Sequence, residues 1–212
     1  MPNSRNLLKR FHGTPDIPVV FRGDRLDLPR RVKRSTIWAV WNDLFHPEVT
    51  DQQIGMAFGT MAECPHHLFL VLTKRVERLA NWSKRVSHYP GGDRGKTPVP
   101  GWPQNVMVGT SVENQKTVDQ RIPWLNKVKA RRFLSVEPLL EPVYLGRAKV
   151  DWVIAGGETG AGARPCDPRW LFEISRWCEN KRIPFWFKSY GPSGPKTLIG
   201  YQERREFPGA QR

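Results

Sequence analysis

Short apolar runs and polar clusters alternate along this chain in a regular way. Six runs of two to five apolar residues are each followed, within a few positions, by polar or charged side chains. Because these runs contain no polar alternation, they fit strands buried on both faces, as in a parallel sheet covered by helices. The six runs begin at Ile37, Leu68, Val106, Phe133, Trp152 and Phe185.

Segments with helical periodicity lie between most of the runs. After the first run, Ile54, Ala57, Phe58 and Met61 recur at the spacing of one helix face. A strand followed by a helix, repeated along the chain, predicts βα units and an α/β fold with a parallel sheet. Suitable helix N-caps are Thr50, with Gln53 completing a capping box, Asn114, and Asp167, with Pro168 at the first helical position.

The 212 residues are most economically read as one domain with two basic ends. Residues 1–35 carry nine Lys or Arg against three Asp and predict a basic N-terminal arm, which either grips a phosphate backbone or is merely solvated. Residues 36–191 hold all six runs and predict the barrel domain, and residues 192–212 predict a polar, basic tail.

Two segments within the barrel domain are predicted to be irregular. Residues 138–150 contain two prolines and a glycine, which is poor for a helix, and residues 88–105 predict a Gly/Pro-rich loop.

Polar side chains follow each of the six predicted strands. Since the carboxyl ends of parallel strands meet at one edge of a sheet or barrel, we expect these side chains to face a common cleft. A carboxylate and a lysine there can act as general base and electrophile, or can neutralise each other as a structural pair. The candidate catalytic residues are Asp43, Lys74, Glu113, Glu137 and Lys188, and Glu158 follows the remaining run.

The segment Gly156-Gly157-Glu158 is the candidate binding loop. Glycines allow backbone N–H groups to approach a carboxylate or phosphate closely, and Glu158 can accept a hydrogen bond from an amino group. The alternative is that the glycines only form a tight exit from the strand. The loop matches neither the GxGxxG nor the P-loop pattern.

Charge is the main compositional signal. The chain has 34 Lys and Arg against 20 Asp and Glu, a formal net charge of +14. Such an excess attracts polyanions, so nucleic acid is a candidate partner, although a generally basic surface also serves solubility. Most aromatic residues belong to the predicted core, whereas Trp102 and Tyr190 are candidates for exposed rings that stack on bases.

The cysteines and the terminal sequences restrict the class of protein. Cys64, Cys166 and Cys178 are odd in number and contain no CxxC pair, so neither a disulfide framework nor a zinc site is predicted. The segment Cys64-Pro65-His66-His67 is a poor metal site, because adjacent histidines at a helix end are expected to point apart. No apolar stretch has the length of a membrane span and no secretory signal is visible, so we predict a cytoplasmic protein without a membrane partner.

Several motifs resemble one known family. The matching stretches are Asp43 to His46, Leu72 to Arg75, Val108 to Glu113, Arg132 to Leu140, Asp151 to Glu158 and Pro184 to Lys188. They resemble the phage-encoded gp thirty-seven/gp sixty-eight family, a domain of unknown function that is also common in prophages. That family looks like a relative of the radical SAM (S-adenosylmethionine) enzymes. The resemblance implies a partial (β/α) barrel with a parallel sheet of about six strands.

The resemblance also bears on cofactors. Radical SAM enzymes carry a three-cysteine iron–sulfur motif, and relatives of this family carry it upstream of the region matched here. S-adenosylmethionine and a [4Fe–4S] cluster are therefore expected only together with a separate N-terminal segment, and no cofactor is predicted for this chain. A similar Gly-Gly-Glu contacts the methionine amine in those enzymes, but it follows their second strand, whereas here it follows the fifth run. We also expect the first barrel strand to be missing, with its edge covered by the N-terminal arm or by another chain.

Two hypotheses follow. In the first, the chain is a phage or prophage protein with a radical SAM-like barrel that lacks its iron–sulfur motif and acts on a small molecule or nucleic acid. In the second, it is a noncatalytic basic barrel that binds nucleic acid, or a phage or host protein, through the strand-end rim. Whether the chain is an enzyme stays open at this point, because the polar rim favours the first hypothesis and the absence of a cysteine motif favours the second.

Overall fold

Six parallel strands form a curled half-barrel with helices between them, which confirms the predicted fold class. The computed structural model describes residues 20–40, 42–85, 88–89, 99–191 and 204–208. Strand order in the sheet follows chain order, so each crossover connects neighbouring strands, as in a (β/α) barrel.

The elements alternate along the chain as the apolar pattern predicts. After a short 3₁₀ turn (Gly23–Arg25) they are α1 (Leu28–Arg31), β1 (Ile37–Val40), α2 (Asp51–Ala62), β2 (Leu68–Leu72), α3 (Val76–Arg85), β3 (His88–Tyr89), β4 (Val99–Pro100), β5 (Val106–Ser111), α4 (Gln115–Leu125), β6 (Arg131–Val136), β7 (Trp152–Ala155), α5 (Pro168–Lys181) and β8 (Phe185–Phe187). Strands β3 and β4 form a separate antiparallel ribbon within the predicted Gly/Pro-rich loop. Residues 90–98 of that loop lie outside the described residues.

The predicted helix caps are all present. The Thr50 side chain accepts a hydrogen bond from the backbone N–H of Gln53, and the Gln53 side chain accepts one from the N–H of Thr50. Asn114 caps α4 in the same reciprocal way with Thr117. These caps satisfy backbone donors that would otherwise be orphaned, and they fix where each helix leaves the carboxyl end of a strand.

The two faces of the sheet bury different sets of residues. The convex face packs against the helices, and its core includes fully buried Phe58, Trp82, Leu125, Leu134 and Phe187. The concave face carries a smaller apolar cluster centred on Leu70, Met107, Phe133 and Trp152. Since side chains alternate across a strand, each run supplies apolar residues to both faces.

The crossover from β6 to β7 is irregular, as the proline content of residues 138–150 predicts. It contains no helix or strand. Leu139 donates its backbone N–H to Gly156 and Leu140 donates its own to Glu113, so the segment is fastened to the carboxyl ends of β7 and β5. The connection therefore helps to build the rim of the half-barrel.

Part of the predicted C-terminal tail packs on the sheet. Phe187 donates its N–H to Arg204 and Glu206 donates its N–H to Phe185, and Arg205 forms an antiparallel bridge with Trp186. This pairing covers the outer edge of β8. The remaining residues of the tail, 192–203 and 209–212, lie outside the described residues.

Part of the predicted N-terminal arm is also attached to the domain. The Arg30 guanidinium donates to Glu63 over 2.9 Å and to Thr60 over 3.1 Å, which fixes α1 beside α2. Residues 1–19 lie outside the described residues. The division into arm, barrel and tail stays a prediction.

Candidate functional site

A cavity of about 310 Å³ lies on the concave face of the half-barrel. Its walls are almost entirely apolar and come from five strands and the C-terminal segment. The lining includes the aromatic residues Phe133, Trp152, Trp186 and Phe207, together with Ile154 and Leu72. An apolar concavity with a few polar groups at one end is the usual form of a small-molecule site.

Glycine on the central strand helps to keep this face close-packed. A Cβ at Gly109 would lie 2.5 Å from the carbonyl oxygen of Phe133 and 2.7 Å from its ring. Only glycine therefore allows the Phe133 ring to lie over β5. The same ring then forms part of the cavity wall.

The end of the cavity at the start of the strands is closed by aromatic residues. Phe207 packs against Trp186 with ring centroids 4.7 Å apart, and against Trp152 at 5.9 Å. The Trp152 indole donates a hydrogen bond to the backbone carbonyl of Glu206 over 2.8 Å. The C-terminal segment thus covers part of the concave face near the start of β7.

The opposite end of the cavity carries one ion pair. Lys188 Nζ donates to Glu137 Oε2 over 2.8 Å, and both residues line the cavity. Their side chains are 39% and 20% exposed, so a ligand entering from the rim can reach both. The pair offers a hydrogen-bond donor and an acceptor side by side at the mouth of an apolar chamber.

Gly156 lies between the two members of this pair. The register of β6, β7 and β8 places Glu137, Gly156 and Lys188 in the row that follows Val136, Ala155 and Phe187. A Cβ at Gly156 would lie 3.2 Å from the Cβ of Lys188 and 3.1 Å from the carbonyl oxygen of Ser189. Gly156 therefore leaves the space across which Lys188 reaches Glu137.

Both glycines of the predicted binding loop use their N–H groups within the protein. Gly156 donates to Val136 and Gly157 donates to Ser189, at 3.1 and 2.8 Å. A Cβ at Gly157 would lie 2.4 Å from the carbonyl oxygen of Tyr190. The two glycines allow the backbone after β7 to lie close to residues 188–190. Their contact with a ligand stays a prediction.

A second ion-pair cluster lies on the neighbouring part of the rim. Glu113 accepts a hydrogen bond from Lys74 over 2.5 Å and another from Arg121 over 3.0 Å. Burial disfavours ionisation of Glu113, but the Lys74 hydrogen bond and the charge of Arg121 outweigh it, so the pKa of Glu113 is lowered. This carboxylate is held ionised between two cations, which is typical of a structural cluster.

Asp43 belongs to a different environment. It accepts a hydrogen bond from the Thr73 hydroxyl over 2.6 Å and forms an ion pair with Arg75. It also accepts the backbone N–H of Phe45, and it lines a cavity on the other side of β1 rather than the concave one.

Glu158 is paired outside the concave cavity. Arg164 binds its two carboxylate oxygens at 2.7 and 2.8 Å and adds a backbone N–H bond at 2.9 Å. These hydrogen bonds from the Arg164 side chain, followed by the one from its backbone, lower the pKa of Glu158 to about 2. The loop 158–164 is closed by this bidentate contact.

The structure thus distributes the six predicted rim residues among four clusters. Glu137 and Lys188 come together at the concave cavity, and Lys74 and Glu113 form the adjacent pair. Asp43 and Glu158 each have a separate arginine partner. Arg121, Arg164 and Ser135 were missed by sequence reasoning. For Ser135 a signal exists, since it alternates with Phe133 and Glu137 on one face of β6.

The cysteines do not fit the three-thiolate ligand set of an iron–sulfur cluster. Cys64, Cys166 and Cys178 are all buried and none is in a disulfide; Cys64 follows α2, Cys166 precedes α5 and Cys178 lies within it. Burial, with a smaller effect from Asp167, raises the pKa of Cys166 to about 11, and burial also raises the pKa of Cys64. Raised values oppose the thiolate form that binds iron.

Three other expectations can be compared with the structure. The rings of His66 and His67 lie 3.9 Å apart, so the expectation that they point apart was wrong; each Nε2 lies 3.0 Å from a backbone carbonyl oxygen, of Val32 and Pro29 respectively. Within the described residues, no group of three His, Cys, Asp or Glu could hold a metal ion. Tyr190 is only 5% exposed, so its prediction as an exposed stacking ring was wrong. Trp102 is half-buried and packs on Phe58, and its stacking on a base stays a prediction.

Comparison with known proteins identifies a family but no relative of known activity. A family model described as "Protein of unknown function (DUF5131)" matches residues 7–209. Comparison with curated proteins gave no match. Comparison with solved structures also gave no match. Among the described residues, no helix is long and apolar enough to cross a membrane.

Proposed function

The chain belongs to the DUF5131 family, and from that premise we propose that its half-barrel binds a planar organic ligand in the concave cavity. The polar edge of the ligand is held by Glu137 and Lys188. The observation that carries the proposal is the placement of this one ion pair at the mouth of an otherwise apolar, aromatic-walled chamber.

The chemistry of the walls indicates the class of ligand. Trp152, Trp186 and Phe133 present aromatic surface, which favours a flat ring. The Glu137 carboxylate accepts from an amino or ring N–H group, and the Lys188 ammonium donates to a carbonyl or ring nitrogen. A nucleobase has both kinds of group on adjacent atoms, so nucleosides are the first ligands to test.

The radical SAM-like scaffold is part of the same proposal and is supported by two things: the resemblance of the motifs and the half-barrel itself. A phage or prophage origin is proposed on the motifs alone. Because Cys64, Cys166 and Cys178 do not fit a cluster, the function proposed for this chain includes no iron–sulfur or S-adenosylmethionine step. Three buried cysteines that form no disulfide support the proposed cytoplasmic location.

The second candidate function is a noncatalytic barrel that binds nucleic acid. It is favoured by the formal net charge of +14. The two candidates differ in what occupies the concave face: a small ligand in the first and nothing in the second.

Nucleoside binding measured by calorimetry tests the proposal. Adenosine, guanosine, cytidine and uridine serve as probes for the wild-type chain and for three variants. Ser135→Phe places a ring in the cavity, Ser135→Ala is its matched control, and Glu137→Gln removes the acceptor charge. We expect at least one nucleoside to bind to the wild type and to Ser135→Ala, with about tenfold weaker binding, or about 1.4 kcal/mol, in Ser135→Phe and Glu137→Gln.

Two results contradict the proposal. One is that none of the four nucleosides binds. The other is that Ser135→Phe binds as tightly as Ser135→Ala, which would place the ligand elsewhere on the molecule.

A further inference from the structure

Basic residues collect at the amino-terminal end of the sheet, opposite the rim. The segment 126–132 leads from α4 into β6 and contains Lys127, Lys129, Arg131 and Arg132. The segment 147–151 leads into β7 and adds Arg147 and Lys149. Asp151 is the one carboxylate in these two segments.

Asn126 holds the two basic segments together. Its side-chain amide donates to the Arg147 carbonyl over 2.8 Å and accepts the N–H of Lys149 over 2.9 Å. The Arg132 guanidinium donates to the backbone carbonyl of Asn126 over 3.2 Å. The six cations are therefore carried on one fixed framework and not on independent loops.

These cations differ from those of the rim in having no acidic partners. Within the part of the chain that the structure describes, none of the six forms an ion pair, whereas Lys74, Arg75, Arg164 and Lys188 on the rim each pair with a carboxylate. The Asp151 carboxylate accepts a hydrogen bond from the backbone N–H of Arg132 over 2.7 Å, so it binds the backbone at the start of β6. Six cations without an ion pair among the described residues therefore lie together at the amino-terminal end of the sheet.

A groove runs through this basic surface. It has a volume of about 420 Å³ and is lined by three cations, Lys129, Arg131 and Arg132, and by one carboxylate, Asp151, among other residues. Arg131 donates to the Gln104 carbonyl over 3.3 Å, which keeps its guanidinium at the groove wall. The Nε of Arg132 is buried and has no hydrogen-bond acceptor among the described residues.

We propose that the amino-terminal end of the half-barrel binds the phosphate backbone of a nucleic acid. Guanidinium forks and flanking lysines match phosphate oxygens, and fixed, unpaired cations release counterions when phosphates bind. The remaining excess of the +14 charge adds long-range attraction. The site lies about 17 Å, the length of β6, from the Glu137–Lys188 pair, so it is independent of the concave cavity.

Salt-dependent binding of an oligonucleotide tests this inference. The probe is a fluorescein-labelled DNA of mixed sequence, about 20 nucleotides long, used as a single strand and as a duplex, from about 50 to 200 mM salt. The variants are Lys129→Gln, Lys149→Gln and Arg131→Gln. The matched control is Lys116→Gln, an exposed lysine at the other end of the same helix, α4. Melting temperatures establish that each variant is folded.

The expected result is a linear fall of log K with log salt for the wild type. Each of the three variants should weaken binding and reduce the steepness of that slope by about one. Lys116→Gln should leave both unchanged, and Ser135→Phe should bind DNA like the wild type even if it loses nucleoside binding.

Three outcomes overturn the inference. If the wild-type protein does not bind the DNA at about 50 mM salt, the proposed phosphate-binding site does not exist. An equal effect of Lys116→Gln shows diffuse attraction without a site. Competition by poly-glutamate as strong as that by unlabelled DNA assigns the surface to an acidic protein instead.

Discussion

Lys188 reaches across Gly156 to bind Glu137 over 2.8 Å, joining the ends of β8 and β6 above β7. The position between them, just after β7, carries no side chain, and a Cβ at Gly156 would meet that of Lys188 at 3.2 Å, closer than ordinary van der Waals contact. An ion pair and a glycine that look unrelated in the sequence thus form one unit at the mouth of the concave cavity.

The two adjacent glycines should respond differently to substitution by alanine. Gly157→Ala brings a Cβ within 2.4 Å of a backbone oxygen that cannot move away freely, so we expect a loss of about 1–3 kcal/mol in the free energy of unfolding. Gly156→Ala meets its neighbours at 3.1 and 3.2 Å, and its loss should be smaller. Urea denaturation measures both. Equal losses, or a larger loss for Gly156→Ala, would contradict the packing described here.

The two rim carboxylates should differ in their contribution to stability. Glu137 forms one ion pair with the partly exposed Lys188, and such pairs contribute about 0–1 kcal/mol, so Glu137→Gln should leave stability nearly unchanged. Glu113 is 12% exposed and serves two cations. Glu113→Gln should cost about 1.5–3 kcal/mol, because Lys74 and Arg121 lose their acceptor. The urea midpoints of the two variants measure these losses. A larger loss of stability for Glu137→Gln than for Glu113→Gln would contradict the structural role given to Glu113.

The bidentate contact between Arg164 and Glu158 should appear in the titration of that carboxyl. Its pKa in the folded protein is about 2, below the ordinary 4.5, so the contact stabilises the fold above about pH 4.5 and is lost as the pH falls through 2. In Arg164→Gln the pKa should return towards 4.5, and stability should depend less on pH over this interval. Carbon-detected NMR of Glu158 measures the shift, with Lys116→Gln as control. An unchanged pKa in Arg164→Gln would mean that the contact does not form in solution.

The three thiols should be unreactive in the folded protein. Cys64, Cys166 and Cys178 are 1%, 8% and 0% exposed, and burial raises the pKa of the first two. Ellman's reagent at about pH 8 should modify none of them quickly under native conditions and all three in urea. Fast native modification of Cys166 would show that the segment before α5 opens.

The sequence pattern was sufficient for the fold. Buried strands on both faces leave continuous apolar runs, and each run from Ile37 to Phe187 became a strand of the sheet. The helix caps at Thr50, Asn114 and Asp167 could also be predicted, because each capping side chain bonds to a residue no more than three positions away. Such features are encoded by neighbouring residues and can be recognised without tertiary contacts.

The grouping of the site residues required long-range geometry. Asp43, Glu113 and Glu158 follow strands as Glu137 does, but their partners Arg75, Arg121 and Arg164 lie on loops or helices that the strand pattern does not locate. The alternation of side chains along a strand could have reduced the number of candidate residues for the concave face. Glu137 and Lys188 lie two residues after the concave residues Ser135 and Trp186, and therefore on the same face. Phe207 closes the cavity from a segment separated from β8 by residues outside the described ranges, and no local pattern indicates that contact.

The central claim is that the concave cavity binds a planar ligand, and isoleucine methyl NMR tests it most directly. Ile37 and Ile154 line the cavity, while Ile54, Ile122 and Ile174 are buried on the convex side. Titration with the four nucleosides should shift the δ1-methyl signals of Ile37 and Ile154 and leave those of Ile54, Ile122 and Ile174 in place, and Ser135→Phe should abolish the shifts. Shifts confined to the convex-side methyls, or no shift with any of the four nucleosides, would contradict the claim.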